Sequence, residues 1–353
     1  MTTSALIVGC AAPTTQRVVV SSEQTSTEAR KQIETLAQDL MDDRERLQRV
    51  YWKLATNAVE LCGRTAALFG VDLAVKGKGE LAEANARLFG VGEQPTVVGL
   101  IRSGPAEIAG LRKGDRLVSL GGTASSDTKA FSSRMRLLDN VGKPLPLEII
   151  RAGQTLTLNP VAVRACGYPA ILAPEQIVNA FADGDTVRIT RGMMGFTRTD
   201  DELALVVAHE IAHDSMRHID AKKNNAMGGF AADLALAILS RGTYRGSEVT
   251  KAAGQSYSQE FEAEADYVGL YMLARSGYSV DEAPKFWRRM ACAYPASIKA
   301  GHTSSHPSTS YRMVALEEAA KEIQDKIEKG LPLMPQRKDG KPFVAGEGLL
   351  PGR

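Results

Sequence analysis

Nowhere in its 353 residues does this chain run eighteen apolar positions in a row, which excludes a conventional membrane-spanning helix. The longest candidate, Ala226 to Leu239, is short and interrupted by Asp233. Charge of one sign is also missing: 43 basic residues stand against 41 acidic ones, no like-charge block stands out, and nucleic acid is therefore not expected as a partner. Cysteine is limited to 4 positions, and Cys62, Cys166 and Cys292 form no C-x-x-C pair, so a thiolate metal site is not expected. If the chain is exported, Cys62 to Cys166 is the expected bridge, joining the ends of an inserted module and leaving Cys292 as a buried thiol. In a reducing compartment all three would be buried apolar side chains. Histidine is scarce too, and its 5 copies, at 209, 213, 218, 302 and 306, all lie in the second half.

What is present is an ordinary globular composition, 44% hydrophobic and 24% charged, in a length that accommodates two or three domains. Its most informative run is His209-Glu-Ile-Ala-His213. Two histidines four apart fall on one helical face, so both imidazoles can reach one zinc ion, while Glu210 points at the water such an ion carries. Thr199-Asp-Asp-Glu202 reads as a capping box that starts this helix. A hydrolytic zinc site needs a third protein ligand and an open fourth position. Some fifty residues on, the acidic helical stretch Ser258 to Asp266 offers Glu260, Glu262 and Glu264. Glu262 is preferred, because its register puts Asp266 on the same face while Phe261, Ala265 and Val268 supply apolar neighbours. Asp266 is then the acceptor that orients a ligand histidine.

Before that half, Ser4-Ala-Leu-Ile-Val-Gly-Cys10 resembles a bacterial lipobox, making Cys10 the expected lipidated residue and residues 1–25 a signal and tether. Residues 26–90 are expected as N-terminal helices packing on the catalytic core, with Ile33, Leu36, Leu40, Leu47, Val50, Tyr51 and Leu54 at helical spacing over a stretch reaching Phe69. Residues 91–165 change to short apolar runs between turns, which predicts a small half-open barrel with one short helix at Ala106 to Ala109. The run Gly104 to Leu120, with Ala109-Gly-Leu-x-x-Gly-Asp115, resembles a bacterial PDZ domain. That resemblance implies a peptide ligand added as a strand to a sheet edge, with a ligand loop near Phe89 to Pro95. A purely structural module is the other reading.

His209-Glu-x-x-His213 followed by Glu262-x-x-Ala-Asp266 resembles the gluzincin peptidases of the HtpX, BepA, LoiP and CAAX prenyl protease group. The resemblance extends to Asn179-Ala180-Phe181-Ala182 as the edge strand for substrate, and to His306-Pro down to Arg312 as the H-P-x-x-x-x-R segment. It implies an α+β fold: a mostly helical zincin-type core with a small β-sheet over residues 166–328, carrying the inserted PDZ-like β-barrel, with 329–353 as a C-terminal tail. It further implies one Zn2+ per chain held by His209, His213 and Glu262, and Glu210 as general base. His306 would assist the oxyanion, and Arg312 would support that loop or hold an acidic neighbour. His218 and His302 are read as surface or structural residues.

The function so expected is a zinc endopeptidase of protein quality control, acting on unfolded or extended polypeptide in the bacterial periplasm. It would reach the membrane by the lipid anchor alone, at the outer membrane more than the inner. One alternative is a PDZ adaptor or chaperone with a latent peptidase half. Another is a metal hydrolase of a non-protein substrate, with the segment Ala226 to Leu239 as lid.

Overall fold

The computed structural model describes residues 18–224, 258–294 and 310–346, with positions 15, 227 and 236. Cys10, His302 and His306 lie outside the described residues, as does nearly all of the segment Ala226 to Leu239. No helix among the described residues is long and apolar enough to cross a membrane.

Helix α1, Ser22–Asn57, starts inside the stretch expected as a tether, because Ser21 and Gln24 form a reciprocal capping box. Its apolar face buries Leu47, Val50, Tyr51 and Leu54 against the core of the second half. Helix was expected as far as Phe69, but Thr65–Leu68 is strand β1. Its partner is β8, Val163–Cys166, with Thr65 opposite Cys166. A pairing that distant overrides local propensity.

The same junction carries a disulfide between Cys62 and Cys166, Cα atoms 5.5 Å apart across a sequence separation of 104. It closes the base of everything between. Cys292, expected as a buried thiol, is exposed instead, since Phe286, Trp287 and Met290 claim the inward face of its helix. Replacing both bridged cysteines by alanine is expected to lower unfolding free energy by about 3–5 kcal/mol, as for any long closed loop. Thermal unfolding of the oxidised, reduced and doubly substituted chains checks this; coincident curves would contradict it.

Inside that loop lies a sheet ordered β2-β3-β4-β6-β7, with β5 on β4. The strands are β2 Val71–Ala74, β3 Thr96–Leu100, β4 Arg116–Leu120, β5 Thr123–Ala124, β6 Leu147–Arg151 and β7 Gln154–Leu158. The helices α2 Glu80–Phe89, α3 Pro105–Ile108 and α4 Thr128–Arg136 fall between them. Val97, Leu111, Leu117, Phe131 and Ile149 make its separate core. Two expectations need correction. The sheet begins at Val71, ahead of the expected boundary at 91, and where a half-open barrel was expected its strands follow an open path. Arg44 of α1 reaches β2, donating to Leu73 O at 2.7 Å and to Asp72 Oδ1 at 2.6 Å. Val91, in the stretch expected as a ligand loop, is buried with Met41 and Val98.

The signature turn forms as its residue types require. Gly110 and Gly114 take φ of 92° and 88°, the left-handed region glycine tolerates. Leu111 fills the core, and buried Asp115 accepts from Arg112 N at 2.8 Å and from Arg151 Nε at 2.7 Å.

The second half has a three-stranded sheet in the order β10-β11-β9, and β10, Ala180–Ala182, is its edge. β11, Val187–Thr190, runs parallel to β9, Ala170–Ala173. The short helix α5, Arg191–Phe196, leads into α6, Asp200–Ser215, followed by α7 Ser258–Arg275, α8 Ala283–Ala293 and α9 Ser310–Glu328. Residues beyond 328, expected as a tail, press Leu333, Met334, Phe343 and Ala345 onto this core.

Arg46 of α1 clasps the start of α6, donating to Thr199 O at 2.7 Å and to Asp200 Oδ1 at 3.0 Å. At that start Thr199 Oγ1 accepts from Glu202 N at 3.2 Å, but the capping box is only half made. The Glu202 carboxylate accepts instead from Arg198 N at 2.7 Å and from both terminal nitrogens of Arg289 at 2.6 and 2.7 Å. Burial would raise the pKa of Glu202, yet these bonds hold it below its ordinary 4.5. A carboxyl depressed in the fold contributes stability above its unfolded pKa and loses it as pH falls through the folded one. Glu202→Gln is thus expected to cost about 1–3 kcal/mol at neutral pH and to lose that deficit under acid conditions. Denaturation at pH 7 and pH 3 tests it; an equal deficit at both would contradict it.

Candidate metal centre

Helix α6 is buried on every side, including His209, Glu210 and His213. Helix α7 crosses it closely because residue 269 is glycine: a Cβ there would stand 3.3 Å from His209 N. That approach brings the carboxylate of Glu262 to 3.3 Å from Nε2 of His209 and 3.4 Å from Nε2 of His213. All three donor atoms lie within 4.8 Å of one another, and all three residues are buried.

This donor set fits a divalent metal. The two Nε2 atoms are 3.1 Å apart. If Nδ1 of each ring carries its proton, two lone pairs face each other there, an arrangement only a shared cation reconciles. The surroundings favour positive charge as well. Nδ1 of His209 lies 3.0 Å from Asp266 Oδ1, and burial, which alone would lower this histidine, is outweighed by Asp266 and Glu262, raising it to about 9. A site that would protonate a buried imidazole is one a metal ion can take over by displacing the proton.

Behind the ligands sits Arg312 at the start of α9. Its Nε and Nη2 donate to Asp266 at 2.7 and 2.8 Å, and Nη1 lies 3.3 Å from Glu262 Oε2. The guanidinium stacks 4.7 Å over Trp287, whose ring also meets His209 edge-on at 5.3 Å. Arg312 thus holds acidic neighbours, one of the two roles the resemblance implied. Burial would raise Asp266, but Arg312 and His209 keep it below its ordinary value. Asn179, Ala180, Phe181 and Ala182 lead into and form edge strand β10, which packs on α6. His306 lies outside the described residues.

Two residues gain a definite place. Of the two readings of His218, surface or structural, burial excludes the first: its Nδ1 is 2.9 Å from Nδ1 of His213 and its Nε2 is 2.9 Å from Glu264 Oε2. Asp214, not singled out by its neighbours in sequence, accepts from Gly184 N at 2.8 Å and so ties the β10–β11 turn to α6. Burial is the first cause of its rise to about 7. No local pattern announces either contact.

Two crossed helices that present an H-E-x-x-H pair and a glutamate to one point, with an edge strand alongside, define the class of a zincin-type metal centre. Residues 165–320 match the family described as Peptidase family M48, and this part of the chain is a domain of that family. The mitochondrial metalloendopeptidase OMA1 of Schizosaccharomyces pombe is 32% identical over 155 residues, covering 42% of this chain and 46% of that protein. The beta-barrel assembly-enhancing protease of Yersinia pestis is 28% identical over 221 residues, 54% of this chain and 45% of that one. The chain thus spans less than half the length of either relative. Among solved structures, the HtrA-type protease AlgW with decapeptide aligns over 28% of this chain and 30% of its own, at 23% identity and a TM-score of 0.24.

Proposed function

We propose that the chain is a zinc-dependent endopeptidase that cleaves unfolded or extended polypeptide in protein quality control. The convergence of His209, His213 and Glu262, with Glu210 on the same helix, carries this reading. Bound zinc supplies Lewis acidity, acidifying water and polarising a carbonyl. Glu210 takes the proton from the attacking water and passes it to the leaving amine. Asp266, itself held by Arg312, takes Nδ1 of His209 and so directs the Nε2 lone pair of that ring toward the metal. Ala180 to Ala182, the edge of the sheet among the described residues, would receive substrate as an added strand, which selects extended segments over folded ones.

The periplasm as location, with Cys10 as lipid anchor, is part of the same proposal. It is supported by the Cys62–Cys166 disulfide, which persists in oxidising compartments. The module between the two cysteines is proposed to assist by binding peptide, on the strength of its Gly110 to Asp115 turn. Metal analysis of the wild type and of Glu262→Ala, with casein cleavage by each, tests the central claim. About one zinc per wild-type chain, lost with cleavage in the variant, is expected; a zinc-free or casein-inert wild type would overturn it.

A further inference from the structure

Resting on the zinc site just proposed, we infer that His218 and Glu264 form a relay that holds His213, completing a support that Asp266 provides only to His209. His218 cannot be a fourth ligand. Its ring meets His213 at Nδ1, on the side away from the Nε2 that faces Glu262 and His209. It is also fully buried, so contact with substrate is closed to it.

The chemistry of the chain of contacts leaves one arrangement of protons. A metal held at Nε2 of His213 needs the lone pair there, which puts the ring proton on Nδ1. That Nδ1–H donates across 2.9 Å to Nδ1 of His218, which must be bare to accept it. The proton of His218 is then on Nε2 and donates across 2.9 Å to Glu264 Oε2. The ring plane of His218 is set by Phe261, stacked on it at 4.6 Å and 18°. Each ligand imidazole is therefore backed by a carboxylate from α7, directly for His209 and through a second imidazole for His213.

A backbone detail makes the relay possible. Arg217, just past the Met216 cap of α6, takes φ of 59°, so the chain breaks out of the helix and swings His218 back onto His213. Had α6 continued, position 218 would sit about 140° around the axis from 213.

The test uses the full chain and zinc itself. His218→Gln is expected to weaken zinc binding about 10–100-fold in chelator competition, the usual effect of losing such a support. Glu264→Ala is expected to weaken it several-fold, whereas Glu264→Gln, whose amide oxygen still accepts from Nε2–H, should restore most of the affinity. Glu264 has 39% of its side chain exposed, so its replacement opens no buried hole and fold is retained if His218→Gln should misfold. In zinc-loaded wild type, nitrogen NMR should show His218 protonated at Nε2 and bare at Nδ1. The opposite tautomer, or unchanged affinity in both Glu264→Ala and His218→Gln, overturns the relay. A zinc-free wild type would instead overturn the metal site on which it rests.

Discussion

Changing Glu210 to glutamine is expected to lower kcat/KM for an unfolded protein substrate by about 10²–10⁴-fold, the usual worth of a positioned general base. Zinc content should not change. Glu210 follows the first ligand histidine on the same helix, yet the three donors that gather at one point are His209, His213 and Glu262. Glutamine keeps the size and the hydrogen-bonding oxygen, so packing inside the wholly buried α6 is preserved while proton acceptance is lost. Casein cleavage with parallel metal analysis and thermal unfolding separates the cases. Retained cleavage would remove Glu210 from the mechanism, and lost zinc would make it part of the metal's support.

Arg312→Ala is expected to cost as much stability as loss of the disulfide, about 3–5 kcal/mol, because it leaves two buried carboxyls without their common cation. Arg312 is 1% exposed, with Asp266 and Glu262 equally enclosed. Formally, its one positive charge stands among the three carboxyl groups of Glu210, Glu262 and Asp266, leaving −2 for a dication to neutralise. Without it that imbalance grows, and Trp287 loses the guanidinium stacked on its face. Lysine should rescue little, since it cannot bind Asp266 with two parallel bonds or lie flat on an indole. Chemical denaturation in the presence of zinc checks this, and a deficit below about 1 kcal/mol, the level of an exposed pair, would contradict it.

How far the site could be read in advance follows from how local each interaction is. His209, Glu210 and His213 share one helical face, and Glu262 and Asp266 share another, so spacing alone marks them. The turn from Gly110 to Asp115 is legible for the same reason, its glycines meeting a backbone demand within six residues. His218 was illegible because its place depends on a left-handed Arg217, a conformation that no residue type there announces. Strand β1 was illegible because Thr65–Leu68 becomes a strand only against β8. Cys292 was misplaced because a thiol's burial is decided by which face of its helix packs, and Phe286 and Trp287 took that face.

By itself, then, the sequence determined what repeats within a turn or two of helix or within one tight turn: the shared helical faces of His209, Glu210 and His213 and of Glu262 and Asp266, the start of α6 at Thr199, and the glycine signature. Tertiary structure decided what depends on separate elements meeting. It set Glu262 between two imidazoles, Arg312 behind Asp266, Asp214 against the β10–β11 turn and His218 against His213. The reason is one of range. Backbone sterics and side-chain periodicity act over a few neighbouring residues, whereas ligation, buried ion pairing and strand partnership arise only once close packing brings distant residues within a few ångströms.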